Sequence, residues 1–167
     1  MAIIKPNNYT ISAITALPAA IPTGKVLQVV QTLKTGYTST NSTSLSDITG
    51  LSVNITPSST SNKVFVLVTV ASLIRNTVTN SSTGLNLVLA DGSNTTLCKF
   101  QHNAFYQQSA SVPLRFPADG VNFLHSPSST SEQTYKVRFA TTQSGNEVGV
   151  ADNGDTNCSI TAMEIAG

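Results

Sequence analysis

Charged side chains are scarce in this sequence. Only 10% of the 167 residues are Asp, Glu, Lys or Arg, whereas an ordinary globular protein has about 25%. Nine Lys and Arg nearly balance eight Asp and Glu, which leaves a formal net charge of +1. A surface that binds nucleic acid or an anionic membrane needs clustered Lys and Arg. The composition therefore excludes both as partners.

Long apolar runs and tryptophan are absent. No stretch approaches the 18 or so apolar residues of a membrane-spanning helix, and no apolar core of a secretory signal follows the N-terminus. We therefore expect synthesis in a reducing cytoplasm, with Cys98 and Cys158 as free, buried thiols. Without Trp and with only 6% aromatic residues, the chain has few side chains on which bases or sugars could stack. Core or interface packing is the expected role of the best aromatic candidates, which are Phe105, Tyr106 and Tyr135.

Recognisable catalytic motifs are also missing. The sequence has no Gly-x-Ser-x-Gly elbow, no Gly-rich phosphate loop and no His-Glu-x-x-His helix motif. His102 and His125 lack the short spacing of zinc ligands. Residues 152–155 (DNGD) are too few for a calcium loop and predict a hairpin turn. We therefore predict a protein that is not an enzyme, with no catalytic, cofactor-binding or metal site and no cofactor.

Short β-strands separated by turns fill the chain from Gly24 onwards. Hydroxyl and amide side chains replace charges, with 21 Ser, 23 Thr and 14 Asn. Turn signals recur every 8–12 residues or so, which is typical of a β-sandwich or jelly roll. No segment has the 3.6-residue period of a helix. Strands are predicted at residues 25–33, 44–48, 51–56, 63–74, 84–90, 94–100, 110–116, 121–125, 133–142, 147–151 and 157–165.

The sequence Pro-Ser-Ser-Thr-Ser occurs twice, at residues 57–61 and 127–131. Each copy precedes a strand that contains Lys-Val. The two copies are either equivalent turns of two Greek keys or a coincidence in a chain rich in Ser and Thr.

Residues 1–23 differ from the rest of the chain. They contain three prolines, which oppose both helix and sheet pairing. We expect an extended apolar arm here, followed by an antiparallel jelly-roll β-sandwich over residues 24–167. The arm packs either on its own domain or on another protein. Its candidate docking residues are Ile3, Ile4, Lys5, Ile11, Ile14 and Leu17.

Several strands are apolar on both faces, which predicts an oligomer. Val64, Val66, Val68 and Val70 point one way and Phe65 points the other. A two-layer sandwich buries only one face of each sheet, so the second face needs a cover. A neighbouring subunit is the simplest cover, and the arm or a loop is the alternative. The orientation of the last strand stays open. The residues assigned to an oligomer interface or to the core are Phe65, Leu67, Leu87, Tyr135, Met163 and Ile165.

Three stretches carry a family resemblance. They are residues 24–30 (GKVLQVV), 51–59 (LSVNITPSS) and 159–165 (SITAMEI). With them the chain resembles small β-sandwich structural proteins of tailed-phage virions, with jelly rolls of the tumour-necrosis-factor type. The resemblance runs from Gly24 to the C-terminus. It implies a homotrimer without catalytic residues, located in the virion and assembled in the host cytoplasm.

The resemblance leaves two virion roles open. Because only 23 residues precede the sandwich, we expect a capsid decoration (cement) protein that binds a major capsid protein through its arm and base. The alternative is the receptor-binding tip of a tail or head fibre. Such a tip would bind other fibre or tail proteins and would recognise bacterial surface glycans through residues 76–83 or 102–108. A polysaccharide-degrading enzyme would need grouped carboxylates, which the sequence does not supply.

Overall fold

A computed structural model describes residues 24–76, 83–104, 113–151 and 156–167. The predicted arm, the turn at 152–155, and Phe105 and Tyr106 lie outside these residues. Within them the chain forms strands and no helix. The twelve strands are β1 (Val26–Lys34), β2 (Thr38–Thr40), β3 (Ser46–Ile55), β4 (Lys63–Val70), β5 (Leu73–Arg75), β6 (Leu85–Asp91), β7 (Thr96–Ala104), β8 (Leu114–Phe116), β9 (Asp119–His125), β10 (Gln133–Thr141), β11 (Val148–Val150) and β12 (Cys158–Ile165).

Two four-stranded antiparallel sheets form the sandwich. The first sheet has the order β1-β12-β4-β9 and the second has the order β3-β10-β6-β7. Strands that are distant in sequence become neighbours, because the connections pass repeatedly from one sheet to the other. This interleaved order is that of a jelly roll. The predicted fold class, an all-β antiparallel sandwich, is confirmed.

A third, smaller sheet closes one end of the sandwich, and the sequence analysis did not predict it. Its order is β2-β11-β5-β8. Each of its strands has three residues and belongs to a connection between strands of the two main sheets. The strands predicted at 63–74, 110–116 and 147–151 overlap β5, β8 and β11, and only β2 was not predicted. Three residues are too few to show a period of two, so the sequence did not indicate that these strands pair in a sheet of their own.

Two predicted strand boundaries were wrong. The single strand predicted at 63–74 is divided into β4 and β5 around Ser72, whose φ is +50°. The separate strands predicted at 44–48 and 51–56 are one strand, β3. A bulge lets both Ile48 and Leu51 reach the core, with Gly50 at φ +81° between them. The apolar run at 63–74 gave no sign that the strand is interrupted at Ser72. Glycine usually signals a turn, so the sequence did not indicate that β3 continues through a bulge at Gly50.

The core lies between the two main sheets and consists of alternate residues of their strands. In β4 the inward residues are Val64, Val66, Val68 and Val70, each at most 3% exposed. Burying a side chain of this size stabilises the fold by about 1.5–3 kcal/mol. In β12 the inward residues include Ile160 and Ala162, which are both 0% exposed. This settles the orientation of the last strand, which the sequence left open. The alternation predicted for β4 is therefore present.

Both Pro-Ser-Ser-Thr-Ser turns lie at the end of the sandwich opposite the small sheet. Residues 57–61 connect β3 with β4, and residues 127–131 connect β9 with β10. Each turn crosses between the two main sheets. The β6–β7 hairpin turns at this end as well, where Asp91 Oδ1 accepts bonds from the Ser93 and Thr95 amides. The repeated sequence therefore occupies comparable positions in the fold.

Candidate functional site

The outer face of the first main sheet is the candidate site. One row of directly paired residues crosses all four strands, from Val29 in β1 through Met163 and Phe65 to Leu124 in β9. Paired residues of antiparallel strands point to the same side of a sheet. The row is therefore a continuous apolar band on the side away from the core. We call this side of the β1-β12-β4-β9 sheet the outer apolar face.

Large apolar side chains of this face are open to solvent in the single chain. Val29 is 56% exposed, Leu33 61% and Leu124 50%. A bulge in β1 adds Val26 and Leu27, at 53% and 45%. Single exposed apolar residues are normal, but a contiguous patch marks an interaction surface. The outer apolar face is such a patch.

The outer apolar face carries almost no charge among the described residues. A second row of paired outward residues crosses the sheet next to the apolar band. It is mostly polar and consists of Gln31, Thr161, Leu67 and Asn122. Gln31 Nε2 donates to Thr161 Oγ1 over 2.9 Å, so part of this polarity is satisfied within the sheet. Lys63, the first residue of β4, is a charged group at the margin of the face. Desolvating such a surface carries a small electrostatic cost.

The outer face of the second main sheet has the opposite character. Asp47 there accepts hydrogen bonds from Lys136 Nζ and Arg138 Nε, both over 2.9 Å. Val88 and Ala90 also point to this side, yet both are 0% exposed. The chain therefore covers the apolar residues of this outer face by itself. It leaves those of the first sheet exposed.

A buried carboxylate lies beside the outer apolar face, at the end of β12. Glu164 is 1% exposed and points into the sandwich next to Gln28 of β1. Its carboxylate accepts bonds from Gln28 Nε2, Asn62 Nδ2, and the amide and hydroxyl of Ser58, all within 2.8 Å. These bonds hold the pKa of Glu164 at about 2, against the burial that opposes its charge. The network ties β1, β12 and the first Pro-Ser-Ser-Thr-Ser turn together.

The structure divides the residues that the sequence assigned to interface or core. Phe65, Leu67, Met163 and Ile165 lie on the outer apolar face, half-buried in the single chain. Leu87 and Tyr135 lie inside, at 0% and 1% exposure.

Because apolar and polar residues do not alternate in residues 25–33, the pattern assigned neither side of β1 to the surface. Five contributors to the face, four of them in β1, were not predicted from the sequence. They are Val26, Leu27, Val29, Leu33 and Leu124.

The other predicted candidates remain ordinary side chains in the structure. His102 is exposed in β7. His125 Nδ1 is 2.9 Å from the Tyr135 hydroxyl, and burial lowers the pKa of His125. Cys98 and Cys158 are free thiols as predicted, but only Cys158 is fully buried, whereas Cys98 is half-buried.

Grouped metal ligands and membrane-spanning helices are absent from the described ranges. Within them no three His, Cys, Asp or Glu side chains are grouped to hold a metal ion. The same ranges contain no helix with the length and hydropathy needed to cross a membrane.

Comparison with known proteins gives likeness in structure only. No family model and no curated protein sequence matches the chain. Among solved structures, the chain is similar to the infectious bursal disease virus Gx strain structure, with 13% identity, a TM-score of 0.45, and 90% of this chain and 37% of that chain covered. It is also similar to the D431N mutant VP2 protein of that virus in derived T=1 particles. There the identity is 14%, the TM-score 0.38, and the coverage 82% of this chain and 36% of that chain.

A further similar structure is the VP2 subviral particle of infectious bursal disease virus, with 12% identity and a TM-score of 0.37, covering 83% of this chain and 39% of that chain. The chain therefore spans less than two fifths of the length of these proteins.

Proposed function

We propose that this chain is a non-enzymatic structural protein of a tailed-phage virion. It acts as a homotrimeric capsid decoration protein that binds and stabilises the shell. The observation that carries the proposal is the outer apolar face, a surface suited to permanent assembly rather than to catalysis. The resemblance of residues 24–30, 51–59 and 159–165 to virion sandwich proteins supports the same role. Binding to the shell adds the free energy of association to the stability of the assembled particle.

The N-terminal arm is the proposed contact with the major capsid protein. The Lys25 carbonyl accepts a bond from the Ala166 amide over 2.9 Å, which fixes the start of the sandwich beside the chain's last residues. Lys25 therefore lies at the end that carries both Pro-Ser-Ser-Thr-Ser turns. The Ile and Leu side chains of the arm would bury apolar surface, worth about 25 cal/mol per Å². Three arms per trimer would bind together and multiply the affinity.

Substitution in the arm tests this role. Ile3→Asp combined with Ile4→Asp should abolish co-sedimentation with capsids of the phage that encodes the chain, while the mass of the free protein stays unchanged. Asn8→Asp combined with Thr10→Asp adds the same charge to the same segment without removing apolar side chains, and should retain binding. Full binding by the Ile3 and Ile4 variant would overturn the proposed role of the arm.

A receptor-binding fibre tip is the second candidate function. A surface depression of about 270 Å³ lies at the turn end, lined by Asp91, His125, Glu132 and neighbouring residues. Hydrogen-bonding groups around such a depression are the chemistry that recognises a sugar. The loops first considered for this role, 76–83 and 102–108, fall largely outside the described residues. Binding of the purified protein to host cells, with no binding to capsids, would favour this function over decoration.

A further inference from the structure

The two outer faces of the sandwich differ in how their apolar residues are covered. On the second sheet, Val88 and Ala90 are fully covered within the chain. On the first sheet, Val29, Leu33 and Leu124 are each at least half exposed. The chain therefore buries the apolar residues on the outer face of the second sheet and leaves those on the outer face of the first sheet exposed to solvent. The first sheet needs a cover from outside the described residues.

The size of the outer apolar face indicates what kind of cover fits. Four strands spaced about 4.8 Å apart, each about eight residues long at about 3.4 Å per residue, give a face of roughly 500 Å². A stable protein–protein interface buries about 800 Å² on each partner. The face together with the bulged edge of β1 is thus comparable with one side of such an interface. A single extended segment would cover a band only about 5 Å wide.

The charge of the face indicates the identity of the partner. A partner with a strong charge of either sign would find no complementary groups among the described outward residues, apart from Lys63 at the end of β4. Further copies arranged around a symmetry axis present the same uncharged rows to it, so no like charges meet at the centre. The Val29–Met163–Phe65–Leu124 row supplies large side chains there, where binding energy concentrates.

We propose that the outer apolar face is where copies of this chain pack on one another, with the Val29–Met163–Phe65–Leu124 row at the centre of the contact. This inference rests on the proposed homo-oligomer and deepens it by naming the surface. It places Leu87 and Tyr135 outside the contact, within the core of each copy. It also leaves the charged outer face of the second sheet in solvent.

Light-scattering mass of the full chain tests the proposal directly. The native chain should have a multiple of the 17.5 kDa single-chain mass, and three times that value for the proposed trimer. Val29→Lys and Leu124→Lys should each raise the dissociation constant at least about tenfold, since a charge at the centre of an apolar contact is desolvated without a partner. The double variant should have the single-chain mass. Asn54→Lys, which adds a charge at an exposed position of the second sheet, should leave the mass unchanged.

Folding of the variants is checked by far-ultraviolet circular dichroism, which should match the native chain because the substituted side chains are exposed. The thermal midpoint supplies a second measurement. It should rise with chain concentration for the native chain and for Asn54→Lys, and be independent of concentration for the double variant.

Three results would overturn the inference. One is a single-chain mass for the native protein, which would mean that its own residues 1–23 or another protein cover the face. The others are an unchanged mass in the double variant and dissociation by Asn54→Lys. Capsid co-sedimentation is scored separately. A single-chain protein that binds capsids would overturn this inference and the proposed trimer but leave the capsid-binding role standing. An oligomer that does not bind capsids would overturn only the decoration role.

Discussion

Gln28 and Glu164 face each other across the β1–β12 pair, and Gln28 Nε2 donates to Glu164 Oε2 over 2.8 Å. The same Gln28 amide donates to the Thr56 carbonyl over 2.7 Å. One neutral side chain thus joins the first strand, the last strand and the turn after β3. This contact anchors the edge of the outer apolar face to the rest of the sandwich.

Removing the charge of Glu164 should destabilise the fold. In Glu164→Gln, an amide nitrogen replaces one carboxylate oxygen and meets the donors of Gln28 or Asn62 instead of accepting from them. We expect a loss of about 1–3 kcal/mol in the free energy of unfolding, the usual cost of an unsatisfied buried polar group. Urea denaturation at neutral pH measures it. Glu132→Gln, an exposed carboxylate, is the matched control, and equal losses in both variants would contradict the role of the network.

The stability that Glu164 confers should depend on pH. Its pKa is about 2 in the folded chain against 4.5 as an ordinary carboxyl, so the folded state binds the proton less readily than the unfolded state. The stabilisation is therefore complete above about pH 4.5 and is lost as the pH falls through about 2. The difference in unfolding free energy between the native chain and Glu164→Gln should shrink over this window. A constant difference would show that the ionised carboxylate is not the stabilising species.

Gly120 should not tolerate a side chain. A Cβ at this position would lie 2.3 Å from the Val68 carbonyl oxygen, in the neighbouring strand β4. Gly120→Ala must therefore displace β9 from β4, and we expect a loss of about 1–3 kcal/mol, as for other overpacked sites. Gly24→Ala is the control, because a Cβ there meets nothing within 4 Å. Equal thermal midpoints for both variants would contradict the close approach of these strands.

The two thiols should react at different rates. Cys158 is 0% exposed, and burial raises the pKa of its thiol, so little reactive thiolate is available. Cys98 is only half-buried in β7, so its thiol is accessible to solvent. Alkylation of the native chain at neutral pH, followed by mass spectrometry, should label Cys98 first and Cys158 only after denaturation. A Cys98→Ser variant should therefore take up no label while folded, and rapid labelling of that variant would contradict the burial of Cys158.

The alternation in residues 63–70 predicted that both sides of β4 are apolar and need a cover, because side chains of a strand alternate between its two faces. It did not say whether the valines or Phe65 and Leu67 face the core. It did not separate these residues from Leu87 and Tyr135, since apolar character is the same at a core position and at an interface. Only the packing of one sheet on the other distinguishes them.

The sequence by itself determined the all-β class, the main turns and the two-sided apolar strands, because these follow from residue type and a period of two. The tertiary structure decided what depends on contacts between distant residues. It placed Val29 and Leu124 on one face, although 95 positions separate them in the chain. It also brought Gln28 and Ser58 to Glu164, and built a third sheet from four connections. Strand pairing sets these neighbours, and no local pattern encodes it.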